Sequence, residues 1–249
     1  MRRFIGVCAM KTSRPLILCA LLLLAGCATQ APLTWNADKI AANRSTYTRL
    51  NDAKGETIAT VSTERTRRLI AIKNRIVAAS SQPADLLVMS GKEPNAMSTR
   101  GKNGRPIIAV NLGMMDLLQN DDDAYAAVIG HELAHLVLGH GTIRKQREDT
   151  RQGISSILGT VLGTAGVPGG NIIADLGTKV VTTAYSRDEE RDADHYSIDY
   201  IKRAGFNPQG AVRAWERMSA VPSGFSIPFL SSHPQSAERL ETMKRLVAE

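Results

Sequence analysis

Apolar and polar residues are arranged along this chain in patterns that predict a mainly helical domain with a small sheet. Between residues 63 and 80, apolar side chains recur at helical spacing among arginines and lysines, which indicates an amphipathic helix. The short apolar runs Leu86–Met89 and Ile107–Val110 predict strands, and a glycine-containing turn at residues 101–104 leads into the second. We expect these strands to form a small antiparallel sheet.

The strongest helix start is the polar run Asn120–Asp123. Side chains of this kind accept the free amide hydrogens of a first helical turn and complement the helix dipole. An alanine-rich helix should follow and end near Gly139. An aromatic content of only 4% also favours helices over a β-sandwich, so the predicted class is α+β and mainly helical. Three further helices are predicted, over residues 179–204, 208–221 and 234–247.

The amino terminus has the pattern of a bacterial secretion signal. Lys11 and Arg14 precede the apolar run Pro15–Leu24, which is too short to span a membrane comfortably. The run ends in Leu-Ala-Gly-Cys, which resembles a lipobox, in which the cysteine is acylated and the chain is cut before it. We therefore expect residues 1–26 to be removed and Cys27 to carry a lipid anchor, the alternative being an ordinary secretion signal.

Cysteine content and net charge exclude several functions for the mature chain. The cysteines are Cys8, Cys19 and Cys27, so the mature chain keeps one and has neither an internal disulfide nor a second thiolate for a metal. Residues 1–26 hold four basic and no acidic residues, which leaves 27 basic against 24 acidic residues and a net charge of +3. This charge is too small to indicate nucleic-acid binding.

The stretch AVIGHELAHLVLGH, residues 127–140, carries the candidate chemistry. Residues four apart lie about 40° apart around a helix axis, so His131 and His135 project from one face and can share a metal. Glu132 lies about 100° from His131, which suits a base acting on a water better than a ligand. The alternative is a pair of structural histidines.

Two regions of the chain offer a third ligand. His140 is one residue short of the HExxHxxGxxH register, and on a continuous helix it would point about 180° away from His131. We interpret it as a helix-terminal histidine that contacts the end carbonyls. Further along, Glu190 and Asp194 are one helical turn apart, so both could face the metal. A solvated charged helix face is the alternative for that segment.

The joint pattern resembles a known family. HExxH followed by ExxAD at residues 190–194, with Ser186-Arg187 before it and His233-Pro234 after it, is similar to the zinc metallopeptidases that include the CAAX prenyl protease and the HtpX-type quality-control proteases. The similarity covers about residues 85–249 and is greatest to soluble, lipobox-bearing periplasmic members. It implies a zincin-like (gluzincin) domain with one Zn²⁺, Glu190 as the third ligand, and Asp194 orienting a ligand histidine.

The resemblance also implies a mechanism. Zinc held by His131, His135 and Glu190 would activate a water, and Glu132 would take its proton. Substrate would pair with a sheet edge, for which we expect the strand Ile107, Ile108, Ala109, Val110 and Asn111. His233 has three open roles: stabilising the oxyanion, replacing the water on zinc in a latent enzyme, or a structural contact before the last helix.

These inferences divide the chain into a signal peptide (1–26), a tether and loosely packed segment (27–62) and a zinc metallopeptidase domain (63–249). Residues 153–174 are uncharged, but Pro168 and its neighbouring glycines interrupt them. We interpret this segment as a mobile lid, with a packed connector or membrane contact as alternatives.

The function predicted is a lipid-anchored periplasmic zinc endopeptidase that cleaves misfolded envelope proteins. Its partners would be protein or peptide substrates and, through Cys27, a membrane. Since Ala28 rather than an aspartate follows Cys27, we expect the periplasmic side of the outer membrane. The rival is a zinc-containing chaperone or assembly factor with little activity, and the presence of Glu132 favours the enzyme.

Overall fold

The computed structural model describes residues 32–158, 184–222 and 227–249. The strands are β1 Thr34–Asn36, β2 Tyr47–Asn51, β3 Thr57–Ser62, β4 Asp85–Met89, β5 Ala96–Arg100 and β6 Pro106–Asn111. The helices are α1 Ala37–Ala41, α2 Thr63–Ser80, α3 Leu112–Leu118, α4 Asp122–Val137, α5 His140–Leu158, α6 Arg187–Arg203, α7 Gln209–Ser219, α8 Pro228–Ser232 and α9 Ala237–Ala248.

Four strands form the main sheet in the order β1-β4-β6-β5, and β2 and β3 form a separate antiparallel pair. This confirms the predicted α+β class with a small, largely antiparallel sheet. The two strands predicted from sequence, β4 and β6, nevertheless run parallel, with Asp85 beside Ile107 and Met89 beside Asn111. They do so because the chain between them forms β5, which lies antiparallel on the far side of β6.

Residues 34–62 belong to the folded domain, so the prediction of a tether and loosely packed segment is wrong for them. β1 pairs with β4, and the segment buries four apolar side chains in the common core (Ala37, Ile40, Leu50 and Val61). Isolated apolar residues among polar neighbours are enough for short elements that bury one face, and such spacing gives little periodic signal. The predicted signal peptide, residues 1–26, lies outside the described residues.

Helix α4 runs through the core and positions the histidine motif. As predicted, its start is capped by an acidic side chain, with Asp121 accepting a hydrogen bond from the amide of Ala124. Residues 124–136 are buried throughout. Gly130 allows α6 to approach closely, because a Cβ atom there would lie 3.1 Å from Oγ of Ser197. The motif is therefore held on a helix that has little freedom to move.

Helix α6 begins later than predicted. Ser186 caps it and shares a capping box with Glu189, so residues 184–186 are not helical and the helix starts at Arg187. The last helix likewise starts at Ala237, after the cap Ser236. Most of the predicted lid, residues 159–174, lies outside the described residues. Within the described part of the chain, no helix is long and apolar enough to cross a membrane.

Candidate metal centre

Four side chains from three parts of the chain meet in the core. Helix α4 supplies His131 and His135, α6 supplies Glu190, and the turn after α8 supplies His233. One ligand atom from each lies within 4.8 Å of the others, and all four residues are buried. The sequence and its family resemblance predict three of them as ligands and leave the role of His233 open. The structure brings all four together.

The donor atoms converge on one point. Nε2 of His131 lies 3.1 Å from Nε2 of His135. In the carboxylate of Glu190, Oε2 lies 3.5 Å from Nε2 of His131, and Oε1 lies 3.5 Å from Nε2 of His135. Nδ1 of His233 lies 2.9 Å from Oε1 of Glu190 and 3.2 Å from Nε2 of His131. Three imidazoles and a carboxylate are donors that suit zinc and related transition metals.

Glu132 lies at the edge of this cluster with a buried carboxylate. Its Oε1 is 3.2 Å from Nε2 of His233, but neither oxygen makes a hydrogen bond within the described chain. Burial alone would raise the pKa of Glu132, but its interactions with His233 and with the two histidines of α4 outweigh burial and lower the pKa to about 2. The side chain is therefore an ionised carboxylate that can accept a proton.

Asp194, held by Arg239, orients His131 on the side of its ring that faces away from the cluster. Nδ1 of His131 is 3.1 Å from Oδ1 of Asp194, and that carboxylate accepts hydrogen bonds of 2.5 and 2.7 Å from the guanidinium of Arg239. Burial would raise the pKa of Asp194, but Arg239 overrides it and lowers the pKa. With a proton on Nδ1 held by Asp194, His131 would present Nε2 to the cluster, which is the arrangement that the predicted role of Asp194 requires.

His135 is held by a different pair of residues. Its Nδ1 is 2.9 Å from Nδ1 of His140, and its ring stacks on Tyr185 with centroids 3.8 Å apart. His140 is buried rather than pointing away, because Gly139, with φ 71°, ends α4 in the left-handed region and turns the chain back. The interpretation of His140 as a histidine that contacts helix-end carbonyls is therefore wrong.

The charges of the site fit a divalent cation. Glu132, Glu190 and Asp194 are buried acids whose pKa values are all lowered, and Arg239 is the buried base that pairs with two of them. With the histidines neutral, as ligation of a metal requires, three negative charges and one positive charge leave a net charge of −2 around the site. Such a charge is costly unless a cation compensates it. In the metal-free chain the carboxylates instead raise the pKa of His131 to about 9, against the effect of burial.

Comparison with known proteins decides the family. The profile described as Peptidase family M48 matches residues 63–247. The chain belongs to peptidase family M48. It is 31% identical over 198 residues to Metalloprotease LoiP of Escherichia coli (strain K12), covering 76% of this chain and 73% of LoiP. Metalloprotease YcaL of the same strain is 27% identical over 198 residues, covering 78% of this chain and 74% of YcaL.

A more distant relative, the Protease HtpX homolog of Methanopyrus kandleri, is 24% identical over 233 residues, with 75% of this chain and 69% of that protein covered. The resemblance inferred from HExxH and ExxAD is thus confirmed. This member of family M48 is a metallopeptidase.

The predicted substrate strand of this M48 peptidase is wrong. Residues 107–111 lie in β6, which pairs with β4 on one side and β5 on the other, so it has no free edge. Among the described strands, β5, residues 96–100, forms the edge of the sheet on that side. Its last residue, Arg100, donates a hydrogen bond of 3.3 Å to the carbonyl of Leu136 on the metal helix. β5 is therefore the edge strand that contacts the helix carrying the histidine motif.

Proposed function

We propose that this protein is a zinc endopeptidase in which His131, His135 and Glu190 hold the metal and Glu132 is the general base. The convergence of those three donors beside the buried Glu132 carboxylate carries the proposal. Bound zinc supplies Lewis acidity toward water and the scissile carbonyl. An oxygen of Glu132 accepts the proton of the attacking water and returns it to the nitrogen of the leaving amine.

The position of β5 at the edge of the sheet, as far as the structure describes the chain, supports an unfolded polypeptide as substrate. An extended segment can pair with residues 96–100 as an additional strand, through backbone hydrogen bonds that do not depend on its side chains. A folded protein rarely offers such a segment, because its strands are already paired. Misfolded or unassembled envelope proteins are therefore the substrates we propose.

We further propose that the enzyme is anchored by lipid on Cys27 to the periplasmic side of the outer membrane. The lipobox-like sequence before Cys27 and the alanine after it support this location. Cys27→Ser should prevent acylation and remove the protein from the outer-membrane fraction of a density gradient. Wild-type protein in the soluble fraction, or no difference between the two proteins, would contradict the anchor.

His233 can close the metal site or assist the reaction. Its Nδ1 lies among the ligand atoms, where it could replace the water, and its Nε2 faces Glu132. We expect His233→Ala to change the rate of casein cleavage at unchanged zinc content. A higher rate would assign His233 to a latent resting state, and a lower rate to stabilising the transition state. An unchanged rate at unchanged zinc content would exclude both roles.

The inclusion of His233 in the cluster also favours one rival function, a chaperone or assembly factor that keeps the metal and hydrolyses little. Zinc analysis combined with casein degradation separates the two. We expect about one zinc per chain and measurable cleavage by the wild type. A protein that binds zinc yet cleaves nothing, including after His233→Ala, would favour the chaperone.

A further inference from the structure

We infer that His140 is a positioning residue of the metal centre: it accepts a hydrogen bond from Nδ1 of His135 and so keeps Nε2 of His135 directed at the cluster. This inference rests on the proposed zinc site. It assigns a role to a residue that lies outside both HExxH and ExxAD.

The geometry of the two rings determines where their protons lie. A neutral imidazole has one N–H and one nitrogen lone pair. His135 presents Nε2 to the cluster, 3.1 Å from Nε2 of His131 and 3.5 Å from Oε1 of Glu190. Ligation through Nε2 leaves the proton of His135 on Nδ1. Because that atom is 2.9 Å from Nδ1 of His140, His140 must accept there and carry its own proton on Nε2.

His140 reaches this position through a local break in the helix. On a continuous helix, nine residues after His131, it would point about 180° away from the metal. Gly139 ends α4 with φ 71°, a conformation that residues with a side chain rarely adopt, and α5 begins at His140 itself. The turn brings His140 back against the last turn of α4.

The contact between His135 and His140 is buried, and Tyr185 supports the ring of His135 through a second contact. His140 is only 5% exposed and His135 only 1%, so water is a poor substitute for the acceptor. Tyr185 stacks on the face of the His135 ring at 3.8 Å and 16°, and the guanidinium of Arg144 lies 4.3 Å from the Tyr185 centroid. His140 thus sets the proton position of His135, while Tyr185 sets the plane of its ring.

The two ligand histidines are therefore supported in different ways. His131 donates to the anionic Asp194, whereas His135 donates to the neutral ring of His140. Outer partners of ligand histidines typically contribute about 10–100-fold to metal affinity. We expect the same range for His140.

Zinc affinity of three variants tests this role. His140→Leu removes the acceptor, His140→Asn places an amide oxygen close to the former Nδ1, and His195→Leu makes the first change at an exposed histidine of α6. Zinc is titrated into each metal-free protein in competition with a chromophoric chelator. We expect His140→Leu to weaken binding by about 10–100-fold, and His140→Asn and His195→Leu to remain close to wild type. Wild-type affinity in a folded His140→Leu would overturn the inference.

Imidazole ¹⁵N NMR of the zinc-loaded wild type gives an answer that does not depend on any variant folding. We expect protonated Nδ1 in His135 and protonated Nε2 in His140. A proton on Nδ1 of His140 in the zinc-bound protein would overturn the inference and leave the proposed zinc site intact. Absence of zinc binding by the wild type would contradict the proposed function itself, so the two failures are distinguishable.

Discussion

Glu132→Gln is expected to lower kcat for peptide hydrolysis by about 10²–10⁴-fold, the usual contribution of a general base. The amide has nearly the same shape as the carboxylate but cannot take a proton from water. Since Glu132 is not among the four converging ligand residues, the metal should stay bound. The measurements are initial rates of casein cleavage and zinc content, both per mole of folded protein.

Glu216→Gln is the matched control, because it makes the same change at an exposed position on α7. It should leave both the rate and the zinc content unchanged. If Glu132→Gln cleaves casein at the wild-type rate, Glu132 is not the base. If it loses its zinc while remaining folded, the carboxylate contributes to metal binding, and the assignment of separate roles fails.

Glu190→Gln is expected to release the metal and, with it, the activity. Glu190 is 1% exposed and contributes the carboxylate that approaches all three histidines. Its loss also leaves Arg239 with one carboxylate partner instead of two. The loss of zinc affinity should exceed the roughly 10–100-fold that removal of an outer partner costs. Chelator competition measures the affinity, and kcat/KM for casein at limiting zinc should fall in parallel.

The neighbouring residue gives a close control for this variant. Glu189 pairs with Arg147 and completes the capping box of α6, and glutamine is also accepted at that position of the box. Glu189→Gln should therefore keep both helix and zinc. Retention of zinc and activity by Glu190→Gln would mean that a different residue provides the third ligand.

The parts of this site that could be predicted from sequence are those set by local geometry. Histidines four apart on a well-capped helix must share a face, and α4 has this arrangement. The third ligand is different, because nothing in the spacing distinguishes Glu190 from Asp194 as the residue nearer the metal. Family resemblance was needed for that choice, and the structure places Glu190 in the cluster and Asp194 behind His131.

The errors have equally specific causes. The order of strands in a sheet is not encoded in the apolar pattern of any single strand, so the sequence does not show that β6 is central rather than at an edge. β5, with the sequence AMSTR, has too few apolar residues to be recognised. The error at His140 arose from one backbone angle, since the left-handed turn at Gly139 invalidates helical-wheel geometry beyond it.

The proposed site holds one zinc ion through His131, His135 and Glu190. Anomalous diffraction at the zinc absorption edge, from crystals of the zinc-loaded protein, locates that ion. We expect one strong anomalous peak, at about 2.0–2.2 Å from Nε2 of both histidines and from a carboxylate oxygen of Glu190. A zinc ion that is not coordinated by Glu190, or the absence of a peak between α4 and α6, would contradict the proposed site.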